Sequence, residues 1–324
     1  MVKYFHSKDP LVLENGKQLE NFSVAYHTYG EYVPGETKVI WVCHALTANS
    51  DVADWWSNIF GEGKILDDQK YFIVCANVLG SCYGSTSPNS EEFKSAKDFP
   101  SLTIRDLVKA HVALRIHLRI ENIFLLLGGS IGGQQAMEWA IEEPSLIQNL
   151  VLLATNARHS AWGIAFNETQ RMALELGDKG LEVARAIAML SYRNYEMYSR
   201  TLRPEDTLGN YGASSYQRYQ GKKLAQRFRS DSYRVLTQVM DGHDVGRGRG
   251  SIEAALQQIT ANVLIIGMAT DILFPPSEQG LLHKTISNAE LEIIGSAYGH
   301  DGFLTEGKLI TERVLKFLKE RNNL

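Results

Sequence analysis

The sequence predicts an α/β fold, a mostly parallel sheet flanked by helices with a helical insertion in its second half. Three observations predict it. Continuously apolar runs alternate with helix-like stretches, a glycine-framed serine lies between one such run and a helix, and β-like runs vanish between residues 161 and 256. Strands alternating with helices imply crossover connections, hence parallel pairing.

Taken in order, Phe22–Tyr29 has period-two character, as a partly solvated antiparallel strand has. Val39–Cys43 and Tyr71–Ala76 are continuously apolar, as parallel strands covered on both faces are. Ile104–Leu114 reads as a helix and precedes a further strand, Ile123–Leu127. Next comes Gly128-Gly129-Ser130-Ile131-Gly132-Gly133, followed by a helix-like stretch from Gln134 to Ala140. The G-x-S-x-G frame in a strand-to-helix turn is a nucleophile elbow: the tight turn strains the serine backbone and leaves no room for neighbouring side chains. It sets Ser130 Oγ near the positive end of the following helix, suited to attack on an acyl carbonyl.

Val263–Gly267 reads as a buried strand, which puts Asp271 on the loop behind it, and Leu291–Ile294 as another, with His300 on the loop behind that. The order serine, acid, histidine is that of a triad in which His300 takes the proton of Ser130 and Asp271 orients the imidazole. Between Ala161 and Leu256 helical segments such as Leu181–Leu190 dominate. Residues 1–160 and 257–324 are therefore expected to form the core domain and residues 161–256 a helical lid, which can shield a site from water.

Composition narrows the function classes. The chain has 324 residues, 44% hydrophobic and 22% charged, with a net charge of -4, which offers no basic face to nucleic acid. The first ten residues carry no apolar leader segment, and no run of about 18 apolar residues occurs, so no membrane partner and a cytoplasmic location are expected. Cys43, Cys75 and Cys82 are odd in number and form no C-x-x-C pair, which argues against a disulfide framework; Cys43 and Cys75 read as small core residues. Gly246-Arg247-Gly248-Arg249-Gly250 follows no strand and reads as a flexible connector. Asp241, His243 and Asp244 are not completed by a further cluster, so no metal is expected. Trp55 and Trp56 read as core or lid filling.

The chain resembles the homoserine O-acetyltransferase branch of the α/β-hydrolases over nearly its whole length. The resemblance is carried by His44-Ala45-Leu46-Thr47, Asp54-Trp55-Trp56, Asn77–Thr86, Asp98-Phe99-Pro100, Ile164–Glu168, Arg218–Lys222, Asp271–Pro276 and Tyr298–Asp301. It implies the α/β-hydrolase fold and a double displacement: Ser130 takes an acetyl group from acetyl-CoA, a co-substrate rather than a bound cofactor, and passes it to the L-homoserine hydroxyl in methionine biosynthesis. It further implies an oxyanion hole from the backbone N–H groups of Leu46 and Ile131, a carboxylate contact from Arg185, an ammonium contact from Asp301, Tyr192 at the entrance, and a homodimer through the lid helices. Three departures stand out: Ile131 replaces the methionine usual in the family, Ala48-Asn49 stands where relatives commonly have glycine and aspartate, and Met172–Gly180 is shorter than its counterpart. A related acyltransferase using succinyl-CoA or L-serine, an esterase, and a non-catalytic protein that kept the fold are the competing readings; one methylene discriminates by only about 1–3 kcal/mol, so the residues leave donor and acceptor open.

Overall fold

A computed structural model describes residues 1–202 and 209–322. Its strands are β1 (Lys3–His6), β2 (Leu11–Val12), β3 (Gln18–Leu19), β4 (Ser23–Tyr29), β5 (Val39–Cys43), β6 (Phe72–Ala76), β7 (Ile123–Gly129), β8 (Ile147–Leu153), β9 (Asn262–Met268) and β10 (Ala289–Ile294). β2 and β3 pair with each other, and the remaining eight form one sheet in the order β1-β4-β6-β5-β7-β8-β9-β10. Among the described residues of this eight-stranded sheet, only the β1–β4 and β4–β6 pairings are antiparallel. The chain has the α/β-hydrolase fold.

The helices are α1 (Val52–Trp55), α2 (Ile104–His117), α3 (Ile131–Glu142), α4 (Ala161–Leu174), α5 (Gly180–Tyr192), α6 (Tyr195–Thr201), α7 (Gly212–Ala225), α8 (Ser230–Asp241), α9 (Ile252–Leu256), α10 (Pro276–Thr285), α11 (Gly302–Thr305) and α12 (Gly307–Asn322). α2 starts on a reciprocal capping box between Thr103 and Asp106, and α4 on Ser160, whose side chain accepts from Gly163 N.

Because successive strand residues point to opposite faces, each buried strand feeds two cores. Trp41 and Cys43 of β5 pack on one face with Leu107 of α2 and Trp139 of α3, and Ile40 and Val42 on the other with Ile310, Val314 and Phe317 of α12. The indole of Trp41 meets that of Trp139 edge-on at 5.0 Å. Among the described residues no helix is long and apolar enough to cross a membrane.

The ladder lines up the carboxyl ends of the parallel strands. Cys43 is in register with Gly128, Gly129 with Leu153, Leu153 with Ile266, and Met268 with Ile294. Ser130 N then donates to Leu153 O, Ala154 N to Ile266 O and Ala269 N to Ile294 O, at 2.8–2.9 Å, so the loops that follow leave the sheet at one level. β5 has β6 on one side and β7 on the other, so the chain reverses its direction of travel across the sheet there, the place where ligands settle in open α/β sheets.

Helices α4 to α8 follow β8. α5 packs against both α4 and α7, and α4 against α8. Arg171 of α4 forms a 2.6 Å ion pair with Asp241, to which Asn167 Nδ2 also donates at 2.7 Å. Asp244 pairs with Arg158 at 3.8 Å, and His243 Nε2 lies 3.0 Å from Asn156 O. Of the acids and histidine weighed as metal ligands, Asp241 thus ties α8 to α4, and His243 and Asp244 tie the segment after α8 to the loop after β8.

The segment Gly246–Gly250 is not the flexible connector expected from its composition. Arg247 bonds both carboxylate oxygens of Glu14 at 2.8–2.9 Å, and Arg249 reaches Glu138 and Glu142 at 2.5 Å, with Arg105 bridging Glu14 and Glu138. The arginines clamp the segment to the N-terminal loop and to α3, in bidentate and shared pairs that fix geometry as well as charge.

Candidate active site

Ser130 follows β7 directly and precedes α3. Its backbone has φ +58° and ψ -127°, a left-handed conformation that costs on the order of 1–3 kcal/mol in a non-glycine residue. The turn around it is filled with backbone: a Cβ on Gly128 would lie 2.2 Å from Gly132 O, and one on Gly132 2.1 Å from Cys43 O. Glycine is therefore required at both positions. The turn is locked by Ser130 O, which accepts from Thr155 Oγ1 at 2.9 Å and Gln134 N at 3.1 Å.

Asp271 and His300, 3% exposed each, come together from the loops after β9 and β10. His300 Nδ1 lies 2.7 Å from Asp271 Oδ2, while Asp271 Oδ1 accepts from Leu273 N at 2.8 Å and Phe274 N at 2.9 Å. With one carboxylate oxygen saturated by backbone donors, the other is aimed at the imidazole. That partner assigns the proton to Nδ1 and leaves the Nε2 lone pair free. The ring is held by Phe274, Phe303 and Tyr192 at centroid distances of 5.0, 5.3 and 5.7 Å.

Ser130 and His300 line a common cavity of about 470 Å³ together with Leu46, Trp55, Arg185, Tyr192 and Asp301. No hydrogen bond joins the Ser130 hydroxyl to His300 among the described residues, a contact that in unliganded sites commonly forms only with substrate in place. Ile131 is the first residue of α3, where an N–H has no partner within the helix, and Leu46 lies in the turn after β5. The turn at Leu46 is braced by His44, whose Nδ1 is 2.8 Å from Ala45 O and whose Nε2 accepts from Val78 N at 3.1 Å. Burial pushes the His44 pKa down to about 4, so the bracing ring is neutral.

Arg185 and Tyr192, seven residues apart on one face of α5, both reach the cavity; the guanidinium carbon stands 5.3 Å from the Tyr192 ring centroid. Asp301 forms an ion pair with Arg193 at 2.9 Å. Arg193 is a site residue that sequence reasoning missed, and its only local signal is its place next to Tyr192. Trp55 departs from the expectation of core filling: Trp56 is 1% exposed, but Trp55 stacks on it and faces the cavity, with Nε1 donating to Asn49 O at 2.8 Å. Lys223 and Arg227, from α7 and the turn after it, also line the cavity and were not singled out.

Among the described residues no group of three or more histidines, cysteines or acids is placed to hold a metal ion. The arrangement suits covalent acyl transfer: a strained serine, an oriented imidazole, free backbone donors, and charged groups of both signs for a zwitterionic acceptor.

A family model described as the alpha/beta hydrolase fold matches residues 38–307. Homoserine O-acetyltransferase of Cyclobacterium marinum is 44% identical, over 98% of this chain and 95% of its own length. That of Chlorobaculum parvum is 42% identical, over 98% and 94%. Among solved structures, a homoserine O-acetyltransferase from Staphylococcus aureus superposes with a TM-score of 0.87 at 29% identity, covering 98% of this chain and 95% of that one. Esterase E22 gives a TM-score of 0.87 at 22% identity, covering 98% and 99%, a likeness of fold.

Proposed function

The chain belongs to the homoserine O-acetyltransferase family of α/β-hydrolases, and from that premise we propose that it transfers an acetyl group from acetyl-CoA to the hydroxyl of L-homoserine through an acyl-enzyme on Ser130. The observation that carries the reading is the single cavity in which Ser130 and the Asp271–His300 pair meet Arg185 and Asp301, the charged groups an amino-acid acceptor requires and a plain esterase does not.

In the first half-reaction His300 Nε2 removes the Ser130 proton as Oγ attacks the thioester carbonyl. The oxyanion is held by Leu46 N and Ile131 N, and collapse expels the CoA thiolate, which recovers the proton from His300. In the second, His300 deprotonates the acceptor hydroxyl as it attacks acetyl-Ser130, and on collapse returns that proton to the departing Ser130 Oγ, giving O-acetylhomoserine and the restored Ser130 hydroxyl. Asp271 keeps the imidazole in the right tautomer and stabilises the imidazolium. Arg185 takes the acceptor carboxylate and Asp301 its ammonium, in place of or alongside Arg193.

The test is CoA release by purified protein from acetyl-CoA or succinyl-CoA with L-homoserine, L-serine or no acceptor, with products identified by mass. Homoserine-dependent release from acetyl-CoA is expected; fast release without acceptor means an esterase, and preference for serine or succinyl-CoA a different acyltransferase. Arg185→Ala should retain the first-turnover burst of CoA while kcat/KM for homoserine falls on the order of 100-fold, the loss of a bidentate carboxylate contact together with its positioning. An unchanged homoserine dependence would remove Arg185 from the acceptor site.

The same proposal includes a cytoplasmic homodimer formed through the lid. Helices there leave large apolar side chains in water, among them Met172 at 60%, Leu190 at 55% and Tyr219 at 57% exposure, which a partner lid could cover. Light scattering should give about twice the chain mass of 36.3 kDa; the monomer mass at micromolar concentration counts against it.

A further inference from the structure

The charges of the cavity exceed what the acceptor can use. Its walls carry Arg185, Arg193, Lys223 and Arg227 against Asp54 and Asp301. Asp301 is already paired with Arg193. A zwitterionic acceptor adds one carboxylate, which Arg185 takes, and one ammonium. Lys223 and Arg227 are left over, and neither forms an ion pair with a carboxylate among the described residues; the Lys223 ammonium has only the Tyr219 ring, 5.9 Å away. Both are exposed, on the side of the cavity made by α7 and the turn after it.

Arg227 is also held in place. Its Nη1 donates to Thr47 O and to Tyr83 Oη, each at 2.6 Å, so the guanidinium is fixed against the loop that carries Leu46, with Nε and Nη2 uncommitted among the described residues. A pre-oriented guanidinium and an exposed ammonium lining the same acyl-transfer cavity form a pattern that recognises phosphate oxygens.

We propose that Lys223 and Arg227 form a phosphate-binding rim that takes the phosphorylated end of the acyl donor while its thioester reaches Ser130. The inference rests on the acyl-CoA reading above and adds to it the contacts that distinguish a phosphorylated thioester from a bare one. Binding energy from that remote end positions the reacting carbonyl, so its loss is felt in kcat/KM for the phosphorylated donor.

The experiment compares acetyl-CoA with S-acetyl-N-acetylcysteamine, which keeps the thioester and lacks every phosphate, in wild type, Lys223→Glu and Lys223→Arg. Lys223 is chosen because it is exposed and makes no bond to the oxyanion loop. The ratio of kcat/KM for acetyl-CoA to that for the short thioester is expected to fall about ten-fold or more in Lys223→Glu, from the loss of one charge-assisted contact and its replacement by repulsion, and to stay within about two-fold in Lys223→Arg. In wild type the ratio should also fall as salt rises from 0.05 to 0.5 M, because an exposed charge contact is screened over roughly 10 Å at 0.1 M. Acetyl-CoA turnover in wild type with an unchanged ratio in Lys223→Glu overturns the rim alone. A wild type that makes no use of acetyl-CoA removes both the rim and the function on which it rests.

Discussion

Ser130→Ala is expected to abolish acyl-enzyme formation and to lower acceptor-dependent CoA release by at least about 10⁴-fold, as when the nucleophile of a serine triad is removed. The protein should remain folded, because the strain at this position is carried by backbone that the substitution leaves in place: Ser130 N bonds Leu153 O, and Ser130 O accepts from Thr155 and Gln134. The loss is then chemical rather than structural, and mass spectrometry separates the two. Wild type incubated with acetyl-CoA and no acceptor should gain one acetyl group on the peptide containing Ser130, and Ser130→Ala should gain none with an unchanged melting temperature. Acetylation that persists in the variant would move the nucleophile elsewhere and leave the elbow a mere turn.

The elbow was legible because its signal is local. Glycines, serine, the apolar run before and the helix after all lie within a few residues of one another, and a Cβ on Gly128 or Gly132 would come within 2.1–2.2 Å of backbone oxygens, so only glycine fits. Asp271 and His300 were legible for a related reason, each lying just beyond a strand, at the end of the sheet where loops collect. Other features lacked such a signal. β1 has an exposed, mixed pattern and exists through its pairing with β4, and β8 is apolar only in the second half of Ile147–Leu153, with Gln148 and Asn149 breaking its pattern. Arg193 pairs with Asp301, and Arg247 and Arg249 with Glu14 and Glu138, across distances in sequence that no window spans. Composition alone made the last two look like part of a loose connector; their partners make them a clamp. The rim cations were hidden for the same cause, since an exposed helical lysine becomes informative only once the cavity it borders is known.

Acid should unfold the protein steeply, on account of four histidines buried as neutral rings. His44, His111, His159 and His243 are 1%, 1%, 4% and 2% exposed. Desolvation pushes their pKa values down, to about 4 for the first three and to about 3 for His243. In the unfolded chain each titrates near 6.5. Between pH 6.5 and 4 the unfolded state therefore binds more protons than the folded one, so the stability these rings contribute is complete above about pH 6.5 and is lost as pH falls toward 4. One proton corresponds to about 1.4 kcal/mol per pH unit, so near pH 5.5 up to four protons give a slope of roughly 5 kcal/mol per pH unit. Their partners make protonation costly as well as solvent-poor: His44 Nε2 accepts a bond from Val78 N that a protonated ring cannot accept, and His159 lies near the Arg171 guanidinium. Urea midpoints measured from pH 7.5 to 5 should fall progressively, with the slope of stability against pH reporting protons taken up on unfolding. Because His44 braces the turn of Leu46, unfolding in this range should add a loss of activity with the time dependence of an irreversible step. A stability that stays level from pH 7 to 5 would mean that these rings are charged or hydrated in the folded protein, and that the packing around His44 and His111 is looser than the structure has it.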